Sequence, residues 1–160
     1  DVYKRQALLD AVGMRVTVLG RTESAELSSH VADVEYLVLA APLTARTHGI
    51  VNARVLSAMP TSARLINVGR GELVGTWDLV SALNQGAIAG AALDVTDPEP
   101  LPVGHPLWRT PNTYITPHNS GDVHGWTDRL QDQFVANFDR YLRGEELLNI
   151  VDKDRMHRNA

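Results

Sequence analysis

The stretch ARLINVGRGELVG, residues 63–75, places an arginine, Arg70, between Gly69 and Gly71. A dinucleotide-binding loop needs the pattern G-x-G-x-x-G directly after a strand and at the start of a helix. Here the third position is a valine, with a glycine one place late, and Glu72 would set a carboxylate beside a pyrophosphate. The stretch is therefore a poor phosphate cradle, and the alternative is that Arg70 itself carries the chemistry.

An earlier stretch, GMRVTVLGRT (residues 13–22), predicts a different contact with a dinucleotide. Where such a strand ends beside the adenosine ribose, an acidic residue binds the hydroxyls of NAD, whereas an arginine accommodates the 2′-phosphate of NADP. This sequence has Arg21 and Thr22 at that point and no acid. We therefore expect both residues to bind the cofactor and NADP to be favoured over NAD. The strand and glycine loop that precede this position in such folds are expected to be missing from the chain.

Apolar, β-rich runs alternate with helical patterns along the chain, which is typical of a parallel, doubly wound sheet. The runs are mostly continuous rather than alternating, as in strands buried on both faces. Gly86 and Gly144 predict the ends of two helices. The predicted strands are 15–20, 35–40, 63–68, 88–95 and 113–116, and the predicted helices are 52–59, 76–86 and 123–143. The fold class is therefore α/β, a Rossmann-like doubly wound parallel sheet, incomplete because the first strand and glycine loop are missing.

Composition argues against several classes of protein. The 160 residues suit one domain, and 44% hydrophobic content is ordinary for a globular chain. No run approaches the roughly 20 apolar residues of a membrane span, and no secretory signal begins the chain, so we expect a cytoplasmic protein. We expect no metal, since cysteine is absent and no two histidines stand at the i, i+4 spacing of a metal site. We expect no nucleic acid as a partner, since the basic residues are scattered and the net charge is −4. Residues 1–6, DVYKRQ, differ abruptly from the apolar run after them and are expected to be non-native, adapter-derived sequence.

Four ordered blocks make the sequence similar to a known family. APLTARTHGIVN, LINVGRGELV, GAALDVTDPEPLP with HPLW, and PNTYITPHNSG resemble the D-isomer-specific 2-hydroxyacid dehydrogenases in order and spacing. The resemblance covers residues 7 to about 151. It implies a protein about twice as long, in which a cofactor domain is inserted into a substrate domain. We expect residues 7–122 to be part of the NAD(P)-binding domain and residues 123–160 to form a C-terminal helix and tail that return toward the missing substrate domain.

The resemblance implies a catalytic triad of Arg70, Glu99 and His118. Arg70 would bind the substrate carboxylate and polarise its carbonyl, and the flanking glycines would leave room for substrate and nicotinamide. His118 would act as the acid/base, while Glu99 would hydrogen-bond its ring, fix the tautomer and favour the protonated form. Each residue also has a purely structural interpretation: an ordinary salt bridge for Arg70, a strand cap for His118 and a solvated turn carboxylate for Glu99.

The same resemblance implies the cofactor contacts. Asp94 would bind the nicotinamide carboxamide, and the loop after the catalytic histidine would line that ring. The loop after residue 40 would run beside the adenosine half, and the backbone after residue 67 would approach the nicotinamide. The expected cofactor contacts, including those from the earlier strand, are Arg21, Thr22, Ala41, Pro42, Leu43, Val68, Gly69, Asp94, Ser120 and Gly121.

Aromatic residues outside these contacts are expected to be structural. Trp108 stands near the active-site loop of the family, and we interpret it as a buried anchor. The final predicted helix carries an apolar stripe at helical spacing, which is more typical of a core or an interface than of a cofactor site. Its members are Trp126, Leu130, Phe134 and Phe138.

The function implied is hydride transfer between NAD(P)H and a small 2-keto or 2-hydroxy acid, such as glyoxylate or hydroxypyruvate. The alternative is a non-enzymatic, NAD(H)-sensing binding protein, because the family includes corepressors that can keep the triad. Formate dehydrogenase, a relative, is disfavoured because Glu99 stands where that enzyme carries a glutamine. The family commonly forms homodimers through the cofactor domain, so we expect a homodimer for the full-length protein. This chain alone is expected to be inactive.

Overall fold

A computed structural model describes residues 2–20 and 23–152 of the chain. Its strands are β1 (Tyr36–Leu39), β2 (Arg64–Asn67), β3 (Gly90–Leu93) and β4 (Thr113–Ile115). Its α-helices are α1 (Val2–Ala11), α2 (Ala53–Ala58), α3 (Thr76–Asn84) and α4 (Trp126–Leu142). Short 3₁₀ helices cover Glu23–Ser29, Gly71–Leu73 and Pro106–Arg109. The chain divides into two compact units, Asp1–His118 and Asn119–Ala160.

The four strands form one parallel sheet in the order β1-β2-β3-β4. In register, Leu37 of β1 lies beside Leu65 of β2, which lies beside Ala91 of β3. Helices connect successive strands, because parallel neighbours need a crossover rather than a tight turn. The sheet confirms the predicted α/β, Rossmann-like class and four of the five predicted strands.

The prediction of a strand at 15–20 is wrong: residues 14–20 belong to no regular element. The run has the apolar composition of a strand, but a strand forms only where its backbone groups pair with a neighbour. Among the described residues, the sheet pairs no strand with it. Composition can therefore propose this strand but cannot supply its partner.

Within residues 2–20 and 23–152, one face of the sheet is well buried and the other is not, so the prediction of strands buried on both faces is also wrong. The buried face carries the alternate residues Leu37, Leu39, Leu65 and Leu93, each at most 9% exposed. The opposite face includes Val38 and Tyr114, which are 47% and 79% exposed. We call this second surface the open face. Continuous apolar runs do not distinguish a strand covered on one face from a strand covered on two.

The helices that cover the buried face begin and end at recognisable signals. Asn52 caps α2, accepting hydrogen bonds from the backbone N–H groups of Arg54 and Val55. The Asp78 carboxylate in the first turn of α3 accepts from the N–H of Ala53, at 2.9 Å, and ties the two helices together. Gly86 follows α3 in the left-handed conformation, with φ +66°, as predicted for a helix stop. Leu56 and Leu79 pack in the core between helices and sheet.

The second unit contains α4, which ends before Gly144, also at positive φ. Its apolar stripe is exposed rather than part of a core, so the core alternative for this stripe is wrong within the described chain. The exposed members are Trp126, Leu130, Phe134 and Phe138. No helix in residues 2–20 and 23–152 has the length and apolar character needed to cross a membrane.

Candidate functional site

The carboxyl ends of all four strands lie along one edge of the parallel sheet, and ligands bind outside this edge in open α/β folds. The backbone ladder continues one residue past the strands: the N–H of Val68 donates to Leu39 and that of Asp94 to Asn67. These bonds fix where the loops leave the sheet. The predicted site residues that follow strands at this edge are Ala41, Pro42 and Leu43 after β1, Val68, Gly69 and Arg70 after β2, Asp94 after β3 and His118 after β4.

Arg70 lies in an extended turn between β2 and the 3₁₀ helix Gly71–Leu73, with φ −142° and ψ 148°. Its side chain is exposed, and one guanidinium N–H donates to the carbonyl of Gly69 at 2.7 Å. No carboxylate of the described residues forms an ion pair with it. The ordinary salt bridge that would explain Arg70 structurally is therefore not seen, and the remaining donors of its fork can bind an anion.

The two glycines beside Arg70 are required first by packing inside the protein. A Cβ on Gly71 would lie 2.0 Å from the carbonyl oxygen of Thr96, and a Cβ on Gly69 would lie 2.9 Å from that of Ala41. The turn that carries Arg70 is thus pressed between the loop after β1 and the loop after β3. The expectation that the same glycines also leave room for substrate and nicotinamide stays a prediction.

Glu99 and His118 form a short side-chain contact at the site. Nδ1 of His118 lies 2.6 Å from Oε1 of Glu99, and both side chains are partly exposed. Because a carboxylate can only accept, Nδ1 is the donor, and Nε2 is left free for another partner. His118 also has φ +54°, in the left-handed region that non-glycine residues rarely adopt. Such backbone outliers concentrate at functional sites, which favours a functional role over a strand cap.

Asp94 is a buried carboxylate, 5% exposed, at the end of β3. The hydroxyl of Thr116, just past β4, donates to its Oδ1 at 2.6 Å. A buried charge is costly unless it is hydrogen-bonded, so Thr116 helps to hold Asp94 in place. Thr116 was not among the predicted site residues. Its only sequence signal is a polar residue at the end of the apolar run TYIT.

Asn67, the last residue of β2, is the second site residue that was not predicted. It is 1% exposed, and its side-chain amide bonds to the backbone on both sides of the Arg70 turn. A polar residue inside the apolar run ARLINV is the signal that could have indicated it.

For four predicted cofactor residues, the structure gives no position relative to this edge. Arg21 and Thr22 lie outside the described residues. Ser120 and Gly121 belong to the second unit and are exposed there. Trp108 is 53% exposed, so its interpretation as a buried anchor is wrong; its indole N–H donates to the carbonyl of Pro102 at 2.9 Å, which holds the ring on the surface.

Metal binding gains no support from the side chains. Within residues 2–20 and 23–152, no group of three His, Cys, Asp or Glu side chains is placed to hold a metal ion. The ionisable side chains placed at the edge include Arg70, Asp94 and the Glu99–His118 pair.

The fold and this edge define a Rossmann-like NAD-binding domain, and comparison with known proteins identifies its family. Residues 4–120 match the model of the NAD-binding domain of D-isomer-specific 2-hydroxyacid dehydrogenases, and the chain belongs to that family. It is similar to the glyoxylate reductase of Thermofilum pendens, with 36% identity over 138 residues that cover 86% of this chain and 41% of that protein. The chain thus spans less than half the length of this curated relative.

Solved structures give the same result. The TT0316 protein of Thermus thermophilus has a TM-score of 0.73 and 43% identity, over 79% of this chain and 40% of that one. A D-isomer-specific 2-hydroxyacid dehydrogenase from Xanthobacter autotrophicus, solved with NADPH and MES, has a TM-score of 0.67 and 41% identity, over 85% and 42% of the two chains.

Proposed function

We propose that this chain is the cofactor-binding part of an oxidoreductase that transfers a hydride between NAD(P)H and a small 2-keto or 2-hydroxy acid. The observation that carries the proposal is the 2.6 Å contact between Glu99 and His118, on the same sheet edge as Arg70. A histidine with a carboxylate partner can protonate the carbonyl of a keto acid, and an arginine that forms no ion pair within the described residues can bind its carboxylate. The glyoxylate reductase relative supports glyoxylate as the substrate, with hydroxypyruvate as the second candidate.

The chain's own residues supply substrate binding and proton transfer. Arg70 binds the substrate carboxylate through the donors that Gly69 leaves free. His118 holds a proton on Nε2 and donates it to the carbonyl oxygen, while Glu99 keeps Nδ1 protonated and stabilises the positively charged ring. When bound, the reduced nicotinamide supplies the hydride.

The polar groups at the edge fit a nicotinamide cofactor. The buried carboxylate of Asp94, already held by Thr116, can accept a hydrogen bond from the carboxamide N–H₂ group. Val68 and Gly69 would contact the ring through their backbone, and Ser120 and Gly121 would line it. The exposed loop Ala41, Pro42 and Leu43 would run beside the adenosine half.

The direct test is to assay the full-length gene product with glyoxylate and hydroxypyruvate, using NADPH or NADH and following absorbance of the reduced cofactor. We expect turnover of at least one acid. Tight binding of NAD(H) without turnover of any small 2-keto acid would contradict the proposal and favour the sensing protein, an alternative that no observation here favours.

Glu99→Gln in the full-length protein is expected to lower kcat by roughly 10²-fold or more, because glutamine keeps the shape but cannot stabilise a protonated His118. Steady-state kinetics measure the loss. The exposed Glu35→Gln serves as the matched control, since Glu35 directly precedes β1 and so lies at the amino end of the sheet, opposite the site. Equal kcat values for the two variants would remove Glu99 from the mechanism.

We further propose that NADP is the favoured cofactor, on the strength of Arg21 and Thr22. The ratio of kcat/KM for NADPH to that for NADH should exceed one and should fall after Arg21→Ala, because the 2′-phosphate loses its cation. Arg54→Ala, in the exposed first turn of α2, is the control. A clear preference of the wild-type enzyme for NADH would refute this part of the proposal.

The proposal includes a cytoplasmic homodimer, as is common in the family. It also keeps residues 7–122 as cofactor domain and residues 123–160 as a segment that returns to a substrate domain. Light scattering of the full-length protein measures its oligomeric state.

A further inference from the structure

Asn67 makes two hydrogen bonds to the turn that carries Arg70. Its Nδ2 donates to the carbonyl of Arg70 at 2.8 Å, and its Oδ1 accepts from the N–H of Gly69 at 3.0 Å. The two partners define the orientation of the amide, because only the nitrogen can donate to a carbonyl and only the oxygen can accept from an N–H. One side chain therefore bonds the backbone on both sides of the Gly69–Arg70 peptide.

The position of Asn67 in the sheet makes a polar side chain there costly. In register it lies between Leu39 of β1 and Leu93 of β3, and it is 1% exposed. A leucine or valine would suit this row by packing alone. Burying an amide is tolerated only when it is hydrogen-bonded, and both of these bonds go to the turn. The turn is therefore the physical reason for an asparagine.

The bond to the Arg70 carbonyl also joins two elements. That carbonyl accepts from the N–H of Leu73 at 3.2 Å, the bond that closes the 3₁₀ helix. Asn67 thus links the end of β2 to the start of this helix, with Arg70 extended between them. The direction in which a side chain leaves the main chain follows from the backbone angles. Fixing this backbone therefore fixes the direction in which the Arg70 side chain leaves the turn.

We propose that Asn67 is a positioning residue: it holds the backbone of the turn so that Arg70 presents its guanidinium at the sheet edge. The inference rests on the proposed function for the role of Arg70, but the two hydrogen bonds from Asn67 to the turn can be tested without turnover. Asn67 does not act on substrate or cofactor directly, since its two polar atoms are occupied by the turn.

The test uses the full-length protein with Asn67→Asp, which keeps the acceptor for Gly69 but loses the donor to Arg70, and Asn67→Leu, which loses both. If Asn67→Asp does not fold, Asn67→Leu fills a similar volume without a buried charge. Thr110→Val is the matched control, because Thr110 is another buried polar residue whose hydroxyl donates to a backbone carbonyl, that of Pro106. Hydrogen exchange by mass spectrometry should show exchange in residues 67–73 accelerated about tenfold in the Asn67 variants and unchanged in the control.

Kinetics then separate positioning from general stability. We expect kcat/KM for the keto acid to fall roughly 10²-fold in Asn67→Asp, since small misplacement of a substrate-binding group has effects of that size. In an Arg70→Ala background the same substitution should cost little more, because the group that it positions is gone. Equal losses in both backgrounds, or unchanged exchange in residues 67–73, would overturn the inference. A wild-type enzyme that is inactive on keto acids would contradict the proposed function alone, because hydrogen exchange tests independently whether Asn67 holds the turn.

Discussion

Arg70→Ala in the full-length protein is expected to lower kcat/KM for glyoxylate by roughly 10²–10³-fold, the usual effect of removing a group that stabilises charge in the transition state. The physical reason is that alanine carries no cation with which to bind the substrate carboxylate. Arg70→Lys should recover only part of the activity, because an ammonium group cannot bind a carboxylate through two parallel bonds.

The control for this prediction is Arg54→Ala. Arg54 is exposed in the first turn of α2, on a helix of the same unit, and its loss changes the net charge by the same amount. Initial rates at varied keto acid give kcat and KM for both variants, and calorimetry with the cofactor checks that binding of NAD(P)H survives. Activity of Arg70→Ala within a few fold of the control would refute the role of Arg70.

The second large effect is expected from Gly71→Ala, which adds a single methyl group. Its Cβ would stand 2.0 Å and 2.1 Å from the carbonyl oxygen and carbon of Thr96, which are backbone atoms and cannot rotate away. Either the turn that carries Arg70 or the loop after β3 must therefore move. We expect a loss of about 3 kcal/mol in the free energy of unfolding, at the upper end for overpacking, together with a marked loss of activity.

Gly49→Ala separates this collision from the ordinary cost of replacing a glycine. Gly49 has φ +60° but open space around its Cβ position, so its substitution should cost only about 1–2 kcal/mol. Thermal or denaturant unfolding of the full-length protein measures both variants. If Gly71→Ala proved as stable as Gly49→Ala, the close contact between the turn and Thr96 would be contradicted.

Much of the fold could be predicted because its signals are local. The runs that became β1 to β4 are apolar and separated by helical patterns, and Gly86 ends α3 as its position indicated. The run at 15–20 shows the limit: a strand depends on a partner, and composition carries no information about that partner. Burial on one or both faces likewise depends on what packs against the sheet.

The site divides in the same way. Glu99 and His118 are nineteen residues apart, and only the resemblance to a family paired them; the 2.6 Å contact then agreed with it. The roles of Asn67, Thr116 and Gly71 depend on how three separate loops meet at the sheet edge. No spacing in the sequence encodes that meeting, although a polar residue in an apolar strand shows where to look.

The open face of the sheet has a practical consequence for producing this chain in isolation. Val38 and Tyr114 are large hydrophobic side chains exposed on this face, and exposed hydrophobic surface of this kind promotes association at high concentration. Solubilising substitutions belong at these two positions. Leu37 and Leu65 point to the other side of the same strands, into the core, and should be left unchanged. Adjacent positions on one strand therefore have opposite outcomes. A polar substitution on the open face improves solubility, whereas the same substitution one residue away disrupts the core.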